Sequence, residues 1–221
     1  MEPIEKYLQP TQGIDCDNVV IKQKAEDLTR GQETSEEKAI TLFYWVRDQI
    51  KYTPIVPDEI FDDYRASDTL RRGKGFCVEK ASLLAAFSRA VGIPARLHLA
   101  DIRNHLVSER LMEVMQTNLF ACHGYCEMYI GGDWVKATPA FDLGMCKENR
   151  IKPVEFDSKH DAIFHSHNLD GKLHIEYVKD RGYYEHVPLD YMMTTFEEIY
   201  GPEMVERVTQ YFGDEDDIEK G

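Results

Sequence analysis

Gly92 and Pro94 constrain the layout of this chain more firmly than any other residues. They close a helix-forming run, Cys77 to Val91, in which Leu83, Leu84, Phe87 and Ala90 recur as an apolar stripe. A glycine just past a helix takes up the left-handed backbone that other residues resist, and a proline soon after it cannot continue the helix. The next segment, "ARLHLADI", reads as a strand. A buried helix that passes so abruptly into a strand has to pack on the sheet which that strand joins.

Upstream, Thr34 and Glu37 fit a capping box, and Ala39, Leu42, Phe43, Val46 and Ile50 follow at helical spacing. Tyr52-Thr53-Pro54-Ile55 breaks that helix, and the stretch to about Thr69 is polar and irregular. Downstream, Glu109 to Met115 reads as a short helix. "HGYCEMYI" and "WVKAT" then form a hairpin around Gly131-Gly132-Asp133. His123, Tyr125, Glu127 and Tyr129 share its polar face, while Cys126, Met128 and Ile130 share the core face. "KLHIEYV" reads as a further strand, "KDRG" as a turn, and Pro202 as the first residue of a last helix that turns Val205, Val208 and Phe212 inward. Helices followed by antiparallel strands give an α+β layout, without the alternation of repeated βαβ units. Residues 1–32 read as an N-terminal extension wrapping the core, 33–212 as the domain, and 213–221 as an acidic disordered tail.

A net charge of −14 argues against a nucleic-acid partner and against adhesion to an anionic membrane, since both need a basic surface. The 5 cysteines are odd in number, and the N-terminus "MEPIEKYLQP" has no apolar signal core. These features point to a cytoplasmic protein with reduced thiols. Oligomeric state leaves no mark in the sequence.

Cys77 follows the glycine-rich stretch Gly73-Lys74-Gly75-Phe76 and opens its helix. Free N–H groups and the helix dipole at such a position favour a thiolate, the nucleophilic form. Lys74 and Lys80 add to that pull and Glu79 opposes it. A small buried hydrophobe is the other reading of the same residue. Chemistry needs a base, which His123 on the hairpin can supply.

Three segments taken together carry a resemblance. "GKGFCVEKASLLAAFSRAVGIPAR" resembles the cysteine motif of the transglutaminase-like superfamily, "HGYCEMYIGGDWV" its histidine motif, and "FYWVRDQIKYTPI" the helix upstream. They stand in the family's order and cover roughly Leu42 to Asp142. The resemblance implies a stand-alone domain of papain-like, transglutaminase-core fold, with the cysteine-bearing helix packed on an antiparallel β-sheet. It implies a Cys-His-Asp triad in which Cys77 attacks a peptide or carboxamide carbonyl and His123 moves the proton. It also implies a peptide or protein substrate, with hydrolysis favoured over crosslinking, and no cofactor. Where the family has Asp-Pro after the tryptophan of the return strand, this chain has Thr138-Pro139. Asp142, about 13 Å further along an extended chain, is favoured as the orienting carboxylate, with Pro139 turning the backbone. Trp45, Tyr52 and Tyr64 are candidates for the oxyanion side chain, with helix core the favoured reading of Trp45.

The alternative is a degenerate, non-catalytic member that binds peptides or a partner, and Thr138 favours it. Cys122, His123 and Cys126 are poorly arranged for zinc, because the cysteines face away from the histidine in a strand. His160, His165 and His167, with Asp161 and Asp170, lack a metal-ligand pattern and read as solvated loop residues.

Overall fold

The computed structural model describes residues 3–53, 64–204 and 206–207. After a 3₁₀ turn at Ile4–Leu8 come α1 (Val19–Leu28), α2 (Ser35–Gln49), β1 (Lys51–Tyr52), α3 (Ala66–Arg72) and β2 (Lys74–Gly75). Then follow α4 (Cys77–Ala90), β3 (Ala95–Asn104), α5 (Glu109–Met115), β4 (Leu119–Ile130), β5 (Asp133–Ala137), α6 (Leu143–Glu148), β6 (Ile175–Tyr184) and α7 (Leu189–Tyr200). The main sheet is antiparallel with order β5-β4-β3-β6. The fold is the α+β arrangement expected, with the cysteine-bearing α4 packed on β3 and β4.

α4 is the centre of the molecule. Every residue from Val78 to Arg89 is buried, so the apolar stripe of the sequence is only part of its contact surface. α1, α2 and α3 cover the side turned away from the sheet. Its buried charged groups are answered, whereas the Ser82 hydroxyl has no hydrogen-bond partner among the described residues. Lys80 Nζ donates to the Arg47 and Ile50 carbonyls at the end of α2 (2.9 and 2.5 Å). The Arg89 guanidinium donates to the carbonyls of Ala95, Gln9 and Glu185. Buried donors left without such partners cost about 1–3 kcal/mol each.

The Thr34–Glu37 capping box forms in both directions at 3.2 Å, and Gly92 sits at φ 86° where α4 stops. Gly131 and Gly132, both at positive φ, make the hairpin turn by themselves, and Asp133 already pairs with Ile130. A short parallel ladder between β1 and β2 ties the end of α2 to the residues just before Cys77.

Several local expectations are corrected. "KDRG" is no turn. Lys179 to Gly182 lie inside β6, where Gly182 at φ 82° and a bulged register against β3 absorb the turn-forming residues. Part of the irregular stretch is helical as α3. A helix precedes the expected last one: α7 buries Met192, Thr195 and Tyr200, and its Tyr200 hydroxyl accepts from Ala121 N (2.6 Å). Pro202 is not the first helical residue expected: it and Glu203 lie in a turn and helical conformation begins at Met204, whereas Val205, Val208, Phe212 and the acidic tail lie outside the described residues. The polar face of β4 is buried too, with His123, Tyr125 and Glu127 at 3–4% exposure. The segment between α6 and β6 folds over that face, joining β5 through Thr138 N to Ala162 O (2.9 Å) and Ala162 N to Lys136 O (2.8 Å).

Candidate active site

Cys77 is the first residue of α4, and Gly124 of β4 lies against it. A Cβ on Gly124 would stand 2.8 Å from Val78 Cα, so only glycine lets strand and helix come this close. Cys77 is partly exposed as a residue, yet protein surrounds its sulfur. Burial pushes the thiol up to about 11, while the N–H groups of Gly124, Val78 and Cys77 draw it down and Glu79 adds to the rise. The lowered thiol expected from the helix terminus is therefore not the resting state; desolvation outweighs the dipole. Lys80 gives no help, since its ammonium points to the α2 carbonyls, and Lys74 is exposed. Gly124→Ala is expected to lower stability by about 1–3 kcal/mol in urea unfolding, because the clash is with backbone that cannot swing aside.

His123 immediately precedes Gly124. Its ring is stacked on Phe164 (centroids 4.8 Å, planes 27° apart), and the edge of Tyr177 lies 6.1 Å away. Nε2 is buried without a hydrogen-bond partner among the described residues. Burial alone drives the imidazole down to about 3. In this closed arrangement thiol and imidazole are both neutral. Thr138 Oγ1 is also buried without a well-formed hydrogen bond, although the Tyr177 hydroxyl lies beside it.

Asp142 is placed elsewhere. Oδ1 accepts from Met145 N (2.9 Å), capping α6, and Oδ2 accepts from Tyr52 N (3.1 Å). No hydrogen bond joins it to His123 among the described residues. Burial opposes its charge, but the Met145 and Tyr52 N–H groups and Lys80 outweigh that and hold the carboxyl below its ordinary value. Through Tyr52 it nonetheless bears on the site, because the phenols of Tyr52, Tyr64 and Tyr177 all lie within electrostatic reach of Cys77. Trp45 packs on Phe87 (5.7 Å) and under Lys24 (4.6 Å), as a helix-packing residue does. A groove of about 640 Å³ lies on the outer side of the wall that Phe164 and Tyr177 make around His123, lined further by Ile163, Leu173 and Ile175.

His98 has no partner by spacing, yet it is among the most engaged side chains. It stacks flat on Tyr125 (4.7 Å), and its nitrogens meet Glu127 Oε1 and Asp180 Oδ1, each at 2.9 Å. Arg96 Nε donates to the other Glu127 oxygen at 2.5 Å. Burial works against a charge on His98, but the two carboxylates outweigh it and hold the imidazole above its ordinary value. The resulting stability is fully present below about pH 6.5 and is lost as pH rises through the raised folded value. His98→Gln should therefore cost about 1–3 kcal/mol at pH 6. The cost should shrink above pH 8, as read by urea unfolding at both pH values.

Among the described residues, no group of three His, Cys, Asp or Glu side chains is placed to hold a metal ion. In the histidine-rich loop, His160 bonds to Asp157 (2.7 Å), His165 to the Pro153 carbonyl (3.2 Å) and His167 to Ser166 (3.0 Å).

A helix-opening cysteine set against a histidine-bearing strand of an antiparallel sheet defines the transglutaminase-core class. Residues 22–139 match the family model of the transglutaminase-like superfamily, more than half of the chain, and the chain belongs to that family. The matched range holds Cys77, His123 and Thr138 and ends before Asp142 and the covering segment. Among solved structures, a candidate cysteine protease from Cytophaga hutchinsonii is 22% identical with a TM-score of 0.48, the alignment covering 63% of this chain and 42% of that one. A candidate protease from Parabacteroides distasonis ATCC 8503 is 20% identical with a TM-score of 0.40, covering 61% and 25%. The aligned part thus spans less than half of either structure. No curated protein matches the chain. No helix among the described residues is long and apolar enough to cross a membrane.

Proposed function

We propose that the chain is a thiol-dependent acyl-transfer enzyme acting on a peptide or carboxamide, with Cys77 as nucleophile and His123 as base. The observation that carries this reading is the close approach of α4 to β4 at Gly124. It sets Cys77 beside the residue that follows His123, whose buried Nε2 has no hydrogen-bond partner among the described residues. The Cys77 sulfur attacks the carbonyl carbon while its proton passes to His123 Nε2. The N–H groups that now surround the sulfur receive the oxyanion. Collapse breaks the C–N bond, His123 returns the proton to the leaving amine, and a thioester remains on Cys77. Water then releases the acid, or a second amine takes the acyl group; hydrolysis is favoured because water needs no dedicated site. Asp142 enters as a positioning residue that holds the backbone N–H of Tyr52, whose phenol lies within electrostatic reach of Cys77. No cofactor takes part.

The test is amine release from a panel of peptide amides, with the acyl-enzyme sought by intact mass. Release and an adduct on Cys77, both lost in Cys77→Ala and His123→Ala, support the proposal. A second reading, a binding module that keeps the fold without the chemistry, is favoured by Thr138 in the family's aspartate place and by Phe164 stacked over His123. No release and no adduct from any substrate would favour it.

A further inference from the structure

Cys122, next to His123, is a non-glycine residue at φ 55°, a left-handed conformation rare in a strand. The register explains it. Ala100 pairs with His123 and Ile102 with Phe120, so Ala121 and Cys122 together oppose the single residue Asp101. This is a β-bulge, a device that re-aims the side chains after it. Because side chains alternate with a period of two, removing the extra residue would turn His123 to the other face.

Asp101, 3% exposed, holds the bulge. Its Oδ1 accepts from Cys122 N at 3.0 Å, and Arg181 grips the carboxylate with Nε on Oδ1 (2.5 Å) and Nη2 on Oδ2 (2.8 Å). Arg181 comes from β6, on the other side of β3, where Arg181 and Gly182 form a second bulge against Leu99. One carboxylate on the central strand therefore fastens the irregularities of both neighbours. Arg181 is itself steadied by donation from Nη1 to the Tyr191 hydroxyl of α7 (2.7 Å). Neither charged group touches the His123 ring.

We infer that Asp101 and Arg181 are positioning residues for His123: their buried ion pair holds the left-handed bulge at Cys122 that aims the imidazole toward Cys77. The inference rests on the proposed role of His123 as base. Two readouts keep the two claims apart. The first is the His123 ring resonances, which the stacked Phe164 shifts by its ring current, followed by NMR in the full chain. The second is the alkylation rate of Cys77 at pH 7. Asp101→Asn and Arg181→Met should move the His123 resonances and lower the Cys77 rate about tenfold. Where either variant fails to fold, Cys122 decides. Cys122→Gly adopts the left-handed φ without strain and should leave the His123 resonances at their native positions, whereas Cys122→Val, β-branched and averse to that φ, should displace them. Unmoved His123 resonances in Asp101→Asn and Cys122→Val would overturn the inference. Resonances that move while the Cys77 rate stays fixed would uphold the positioning of His123 and count against its role as base.

Discussion

Replacing Phe164 with alanine is expected to raise the alkylation rate of Cys77 at pH 7 by about twentyfold. Phe164 is the lid of the imidazole, stacked on it at 4.8 Å and on Phe141 at 4.4 Å. With water admitted, the burial that holds His123 near 3 and Cys77 near 11 weakens for both. A thiol near 11 is about one part in ten thousand thiolate at pH 7, and one returned to the ordinary value of about 8.5 is a few per cent. That several-hundredfold rise is partly offset because nucleophilicity falls with pKa by roughly half a log unit per unit, leaving about twentyfold. The aromatic loss should cost about 3 kcal/mol of stability, so the measurement belongs well below the melting temperature. Peptide mapping of the alkylated chain reads the rate. An unchanged rate would show that Phe164 does not gate the site.

The second large effect concerns Lys80. This side chain is fully buried, and burial drives its ammonium from an ordinary value near 10.5 to about 7, against the attraction of Asp142 and Asp48. Between about pH 7 and 10 the unfolded chain holds a proton on Lys80 that the folded chain does not, so stability rises with pH across that window. The full difference is on the order of 5 kcal/mol. Lys80→Met keeps the packing but removes the donors to Arg47 O and Ile50 O. It should therefore destabilise at every pH, by about 1–3 kcal/mol at pH 6, and the cost should grow toward pH 9. Urea unfolding of both chains at pH 6, 7, 8 and 9 measures it. A cost that stays level or shrinks with pH would contradict the buried-ammonium account.

These two effects mark where reading the sequence stops. Gly92 and Pro94, the Thr34–Glu37 box and the alternation of the β4 hairpin are local signals, each acting over a few residues, and the structure follows them. Cys77 and His123 stand out in the sequence because two local motifs stand in order. The covering of His123 by Phe164 had no such signal, since the segment between α6 and β6 lacks periodicity and is held by a bridge from Ala162 to Ala137. Lys80 sits three residues into a good helix, and nothing local says that its ammonium ends on the carbonyls of α2. The fate of "KDRG" has the same cause: turn-forming composition is a local preference, and pairing with β3 overrides it through bulges. His98 and Asp180 meet only because β6 returns beside β3. Thr138, by contrast, was legible as a departure, and the structure leaves its hydroxyl beside Tyr177 with no charge to offer His123.

The account turns on Cys77 and His123 acting as one unit, and the most direct measurement is the pH dependence of Cys77 alkylation in the native chain and in His123→Ala. Comparison with the other cysteines is not diagnostic, because Cys16, Cys122, Cys126 and Cys146 are buried whereas Cys77 is partly exposed. The account predicts that the native rate exceeds that of the variant through pH 6–8 by about tenfold, and that the curves meet only near pH 11, where the thiol ionises without help. Superimposed curves across the whole range would contradict it.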